Sequence, residues 1–338
     1  MHTYSCPSCH TTAYFRNLNC NNCGAELAFD PERNMFISGA AVCTNRSLIS
    51  CNWIAEDEDG YCRSCHMTDV VPDTFKDVNV KLWAEAETSK RWVLINLARW
   101  GWFTAADKGR RPKFHLLAES TSRGRDVVMM GHADGLITIN VTEADPVVRE
   151  QRRDDLDERL RTMTAHFRHE IAHFLFDRLK EDPTFHAGFR ELFGDETQDY
   201  RTALDTYYDV GAPSNFHETY VTRYASAHPH EDWAETTAHM LHLTDILDSA
   251  AAFGLQCDGM PRRNYDAYKE PEGEALITQA LELGLALNQV NRSMGLQDLY
   301  PFVISAIARK KLIFAHKSVS LAIQGLKHHK GGVFGLFH

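Results

Sequence analysis

His169-Glu170-Ile171-Ala172-His173 sets two imidazoles four residues apart with a carboxylate between them. On a helix, positions i and i+4 share one face, close enough for both rings to bind one zinc ion. Glu170 then flanks the ion and can take a proton from water held there, which is the chemistry of zinc-dependent hydrolysis. Either histidine alone reads more simply as a buried ring bonded to its neighbours. A di-iron bundle would use Glu170 and His173 as an ExxH pair, but it needs a second such pair, and the chain has no convincing one. A hydrolytic zinc takes three protein ligands and keeps one position open. Glu231 and Glu235, one helical turn apart, suit the remaining need: one as ligand, the other as acceptor for a zinc-bound imidazole. His239 and His242 follow on roughly the same side and are candidates to line the cleft. The plainer alternatives are that Asp232 only caps its helix and that Glu235 is a solvated charge.

The second grouping is of thiols. Eight of the nine cysteines precede residue 66, and six of them form CxxC knuckles at Cys6/Cys9, Cys20/Cys23 and Cys62/Cys65, with Cys43 and Cys51 between the last two. Such turns converge four thiolates on one tetrahedral zinc and leave no open position, so these sites are expected to be structural. The assignment is Cys6, Cys9, Cys20 and Cys23 on one ion, and Cys43, Cys51, Cys62 and Cys65 on another. His10 and His66, each directly after a knuckle, can stand in for a thiolate. A redox CxxC would open a helix in a thioredoxin-like unit, which these surroundings do not resemble. Cys257 stands alone and reads as a small core residue.

The elements that must position these groups are legible in outline. At 338 residues the chain has room for about two domains. Residues 1–70, rich in Cys and Asn and poor in apolar runs, cannot build a conventional core and need a metal staple. From Asp73 the pattern turns helical, so a zinc-ribbon region at 1–70 and a second domain at 71–338 are expected, with the boundary near Val71-Pro72. Val80 to Trp100 reads as a helix, Lys113 to Leu117 and Asp126 to Met130 as strands, and Gly135 to Val141 as the second arm of a hairpin turning at Asp134-Gly135. Val147 to Lys180 reads as one long helix or two abutting ones. His186 to Gly211 reads as loop; His230 to Phe253, Glu274 to Leu287 and Pro301 to Leu326 read as helices. The end, His328 to His338, has no such pattern.

Thirty-six Lys and Arg against 46 Asp and Glu give a net charge of −10, and residues 1–70 hold four arginines against eight acidic residues. That balance repels phosphate backbones, so no nucleic-acid partner is expected. No run reaches the length of a membrane span; the longest candidate, Phe302 to Phe314, is broken by Arg309, Lys310 and Lys311. With no leader pattern at the start, a cytoplasmic location without membrane association is expected.

Together the stretches CPSC with CNNCGAELAFDP, CRSCHMTDVVPD, GHADGLITINVTEAD, HFRHEIAHFLFDRL, LFGDETQDY and AHPHEDWAETTAHMLHLTDILD carry a resemblance to a zinc-binding metallopeptidase family with an N-terminal zinc-ribbon region. They run in order from residue 6 to about 255, about three quarters of the chain. The resemblance implies an α+β chain: small zinc-ribbon modules, then a mostly helical zincin-like domain with a small antiparallel sheet. It implies a gluzincin-like peptidase with one catalytic and two structural zinc ions, and a peptide or protein substrate that the ribbons are candidates to recruit. In the gluzincin pattern the ligand is the first acid of E-x-x-A/S-acid, which falls on Glu231 and leaves Glu235 behind it as the imidazole's acceptor. A tyrosine about two turns before that ligand serves some such enzymes as oxyanion donor; Tyr224 stands there, with Tyr220, His228 and His230 as alternatives. The edge strand of the hairpin implies a substrate bound in extended form. Two other readings stay open: a ribbon adaptor whose HExxH domain is inactive, and an amidase acting on a non-peptide substrate.

Overall fold

The computed structural model describes residues 3–156, 158–255 and 265–329; Cys257 and the tail from 330 lie outside them. Two small antiparallel hairpins open the chain, β1 (Tyr4–Ser5) with β2 (Thr12–Ala13) and β3 (Ala28–Asp30) with β4 (Met35–Ile37), followed by the single-turn helices α1 (Arg46–Ile49) and α2 (Arg63–His66). This region has more core than its composition suggests. Phe29 meets Tyr4, Phe15 and Phe36 edge-on at 5.2–5.3 Å, with Trp53 on its other side. Those rings sit in apolar runs of no more than three residues, such as Leu27-Ala28-Phe29 and Met35-Phe36-Ile37, too short to announce a core. Metal staples therefore supplement an aromatic core here rather than replace one.

Phe15 also packs edge-on against Trp92 of α3 (Asp77–Ala98) at 5.0 Å, which joins the Cys-rich region to the helical part. The main sheet does the same. Its strands β5 (Thr68–Val70), β6 (Lys113–Leu117), β10 (Leu136–Asn140) and β9 (Gly131–Ala133) lie in that order, so the first strand comes from the Cys-rich side of Val71-Pro72. β5 and β10 run parallel to β6, while β9 is antiparallel to β10. The expected hairpin is present: Asp134 (φ 48°) and Gly135 (φ 85°) both take the left-handed conformation that a two-residue turn requires. The sheet it extends is mixed, because α3 crosses over between β5 and β6 and returns the chain in the same direction. Phe114, Leu116, Ile137 and Ile139 alternate inward and are fully buried. Between them the small β7 (Ser120–Thr121) and β8 (Gly124–Arg125) pair, and the strand expected at Asp126 to Met130 does not form; Val127 and Met129 are 88% and 78% exposed, so its alternation has no face to bury.

The rest is helical: α4 (Pro146–Leu156), α5 (Met163–Leu179), α6 (Pro183–Phe193), α7 (Tyr200–Val210), α8 (Pro229–Phe253), α9 (Gly273–Ser293) and α10 (Ala306–His329). The long charged stretch is thus two helices. The segment from His186 to Gly211, expected as loop, is instead mostly α6 and α7. Asp182 caps the first, with Pro183 in its first turn, and Asp199 caps the second. Phe185, Phe189 and Phe193 give α6 one buried aromatic face, which packs on Trp233. Aromatic residues have middling helix propensity, and that conceals the period. No helix among the described residues is long and apolar enough to cross a membrane.

Candidate metal centre

Three groups of ligating atoms converge among the described residues, each within 4.8 Å: Cys6, Cys9, Cys20 and Cys23; Cys43, Cys51, Cys62 and Cys65; and His169, His173 and Glu231. All eight cysteines are free thiols. Sulfur pairs stand 3.6 and 3.8 Å apart in the first cluster and 3.7 and 3.9 Å in the second. A tetrahedral zinc with Zn–S near 2.3 Å spaces its sulfurs about 3.8 Å apart, so both clusters have the right edge length. Tight turns make them: the His10 and Gly24 amides donate to the Cys6 and Cys20 carbonyls at 2.9 Å, with His10 and Gly24 at positive φ. In the second cluster the Cys62 and Cys65 amides donate to the Cys43 and Cys62 sulfurs at 3.4 Å. His10 points to solvent and His66 pairs with Asp57, so neither joins a cluster.

The third group is held by α5 and α8. The Thr162 hydroxyl caps α5 and the His228 imidazole caps α8, with Pro229 in its first turn. The Trp233 indole donates to the Ala172 carbonyl at 2.9 Å, setting α8 beside the HExxH turn. Glu235 Oε1 lies 2.7 Å from His169 Nδ1, and its other oxygen accepts from the Thr222 hydroxyl at 2.7 Å. A carboxylate only accepts, so Nδ1 carries the proton and Nε2 keeps its lone pair. That Nε2 faces Glu231 Oε2 at 3.0 Å and His173 Nε2 at 3.2 Å, while His173 Nε2 stands 3.5 Å from Glu231 Oε1. Two imidazoles and one carboxylate thus direct lone pairs at one point, a donor set that fits zinc with a position left open. Burial works against charge on His169, but Glu231 and Glu235 more than offset it and raise its pKa well above the ordinary histidine range, so a metal bound at Nε2 takes the place of a second ring proton. Burial likewise favours a neutral Glu231, and His173 and His169 outweigh it to hold the carboxyl well below its usual range.

Glu170 projects beside these donors. Its Oε2 is buried without a hydrogen-bond partner among the described residues, and burial raises its pKa. Tyr224 reaches the edge of the group, its ring 6.0 Å from that of His169. The direct bond comes from Tyr200, the last residue of the LFGDETQDY stretch, where no spacing singles it out: its hydroxyl donates to Glu231 Oε1 at 2.6 Å. Tyr220 packs under the Lys311 ammonium instead. Asp232 does not cap α8; it is buried and bonded to Lys311 Nζ. His239 and His242 do not line the cleft. His239 Nδ1 bonds to the Tyr300 hydroxyl at 2.8 Å, and His242 Nδ1 accepts from Arg168. His230 stacks on His228 and packs edge-on against Phe176.

The sheet contributes its edge. On β9, the His132 ring stacks over His173 with centroids 6.2 Å apart, and its Nε2 accepts from the Gly135 amide at 3.1 Å. Burial, then His173, lowers the His132 pKa to about 4, so this ring is neutral at pH 7. β9 therefore runs beside the HExxH turn with its outer side unpaired by any described strand.

Comparison with known proteins agrees with this geometry. A family model described as "putative zinc-binding metallo-peptidase" matches residues 79–318, and a zinc-ribbon domain model matches residues 3–40. The chain is similar to uncharacterized proteins of Mycobacterium bovis and Mycobacterium tuberculosis, 36% identical over 94% of this chain and 95% of each relative. No solved structure matches. By the span of that family model and the reach of those relatives, the chain belongs to the family described as "putative zinc-binding metallo-peptidase", with a zinc ribbon at its N-terminus.

Proposed function

We propose that the chain is a gluzincin-type zinc peptidase, with His169, His173 and Glu231 as ligands of one catalytic zinc and the two four-cysteine clusters as structural zinc sites. The observation that carries this reading is the unpartnered, buried Glu170 oxygen beside three converging donors. When bound there, zinc supplies Lewis-acid chemistry, polarising a carbonyl and acidifying water. Glu170 accepts the proton of the attacking water as the new C–O bond forms, and returns it to the nitrogen as the C–N bond breaks. Burial, which raises its pKa, suits it to hold that proton between the two steps. Glu235 fixes the His169 ring and its tautomer. Tyr224 offers a hydroxyl for the developing oxyanion, and Tyr224→Phe is expected to lower kcat about ten- to a thousandfold without loss of zinc.

The open side of β9 supports a peptide as substrate, since an extended chain can add to that edge by backbone hydrogen bonds. Zinc counting tests the ligand set. Protein purified without added metal should hold three zinc ions, and His169→Ala, His173→Ala or Glu231→Ala should hold two. Full occupancy at two in the unaltered protein would contradict the proposal.

A further inference from the structure

Helix α7 meets the metal centre through its first residue, Tyr200, with little else to hold it there. None of its eleven residues is buried, and Tyr208 and Val210 are 67% and 79% exposed. Its attachments are few and polar or edge-on. The Tyr200 hydroxyl donates to Glu231; the Tyr200 ring meets His228 at 5.1 Å; Tyr207 meets Tyr224 at 5.7 Å. Just ahead of α7, the Gln198 carbonyl lies 3.2 Å from His228 Nε2. Since His228 Nδ1 accepts from the His230 amide, Nε2 carries the ring proton and donates to Gln198. Between one face of the helix and the segment at Ser226–Ala227 runs an open groove of about 440 Å³, lined by Thr202, Thr206 and Tyr207 on the helix side. The chain turns through a glycine at positive φ directly after α7, Gly211 at 82°, and through another at the end of α6, Gly194 at 100°, six residues before α7 begins. An element with no fully buried residue, few attachments and an open groove along one face has the make-up of the low-stability segments that move.

We propose that α7 is a lid, latched shut by the bond from Tyr200 to Glu231, and that an extended peptide reaches the metal centre by displacing it. The latch sits on the carboxylate assigned above as a zinc ligand, so opening the lid and exposing the centre are one event. Tyr200 is in this sense a positioning residue: closed, it holds Glu231 Oε1; open, it leaves with the helix. This inference rests on the zinc reading of His169, His173 and Glu231 and adds the route of access to it.

The test uses the full chain with its zinc, comparing the unaltered protein, Tyr200→Phe and, as control, Tyr208→Phe. Amide hydrogen exchange across residues 200–210 should be fast relative to α5 and α8, and faster again by about tenfold in Tyr200→Phe, the factor that loss of one hydrogen bond brings. Release of one zinc per chain to a chromogenic chelator should accelerate in the same variant, with zinc content at the start unchanged. Tyr208→Phe should match the unaltered protein in both. Exchange in α7 as slow as in α5, or unchanged by Tyr200→Phe, would overturn the lid. Neither readout depends on peptide turnover, so failure of the peptidase reading would leave the lid result standing, while a lid that opens without faster zinc release would overturn the latch.

Discussion

His169 presents Nε2 to the metal centre because Glu235, 2.7 Å away, holds the proton on Nδ1. Glu231 and Glu235 are one turn apart on α8, yet they serve different nitrogens of the same ring, Nε2 and Nδ1. Removing either has a different consequence. Glu231→Ala deletes a ligand and should lose one zinc outright. Glu235→Ala should retain the site with zinc affinity lowered about 10- to 100-fold, the usual effect of removing a ligand's orienting partner. Competition with a chelator of known affinity separates the two, and a reversed order would exchange the roles of the two acids.

A second expectation concerns the join between the second cysteine cluster and α3. Lys90 Nζ bonds to Glu87 Oε1 at 2.8 Å with both side chains fully buried, and it also donates to the Ser64 carbonyl at 2.9 Å, inside the last CxxC knuckle. Lys90→Met would leave Glu87 buried with only the Thr68 hydroxyl at 2.6 Å and the Arg91 guanidinium at 4.0 Å as partners, at a cost of up to about 3–5 kcal/mol. Lys90→Met with Glu87→Leu removes this pair and should recover part of that loss, the remainder reflecting the buried Arg91 that loses Glu87 as a neighbour. Urea unfolding of the two variants checks this; equal destabilisation would show that packing at Ser64, not charge, holds the join.

The third expectation is a pH dependence. His239 is buried against Tyr300, and burial lowers its pKa to about 4 from an ordinary value near 6.5. The unfolded chain therefore binds a proton first as pH falls. Stability is full above about pH 6.5, declines between about 6.5 and 4, and is steady with respect to this group below that. The window corresponds to about 3 kcal/mol. His239→Gln should flatten the dependence of the urea midpoint across this range relative to the unaltered protein, whatever its effect at pH 7. An unchanged slope would assign the acid sensitivity to other groups.

How much of this was legible in the sequence follows the range of each interaction. The CxxC knuckles and HExxH are local spacings, and Glu231 and Glu235 share one helix, so short-range geometry marks each group, while the choice of Glu231 as ligand comes from the resemblance. His239 and His242 mislead because facing the same side is not reaching the same place. Eleven residues of helix advance about 16 Å, and His242 meets Arg168 rather than the metal centre. Tyr200 and His132 come from α7 and β9, and no periodicity in either segment says what lies opposite. The mixed sheet was hidden for a related reason: a hairpin announces its turn at Asp134-Gly135, whereas the parallel pairing of β5 with β6 depends on how α3 crosses over.

Glu170 carries the central claim, and one comparison addresses it: mass-spectrometric mapping of cleavage in a proteome-derived peptide library by the unaltered protein and Glu170→Gln, each carrying the same measured zinc. Glutamine preserves the shape of the side chain and removes the base, so the unaltered protein should cut peptide bonds and Glu170→Gln should be slower by at least about a hundredfold. Equal cleavage by both proteins at equal zinc content would contradict the assignment of Glu170 as the proton carrier.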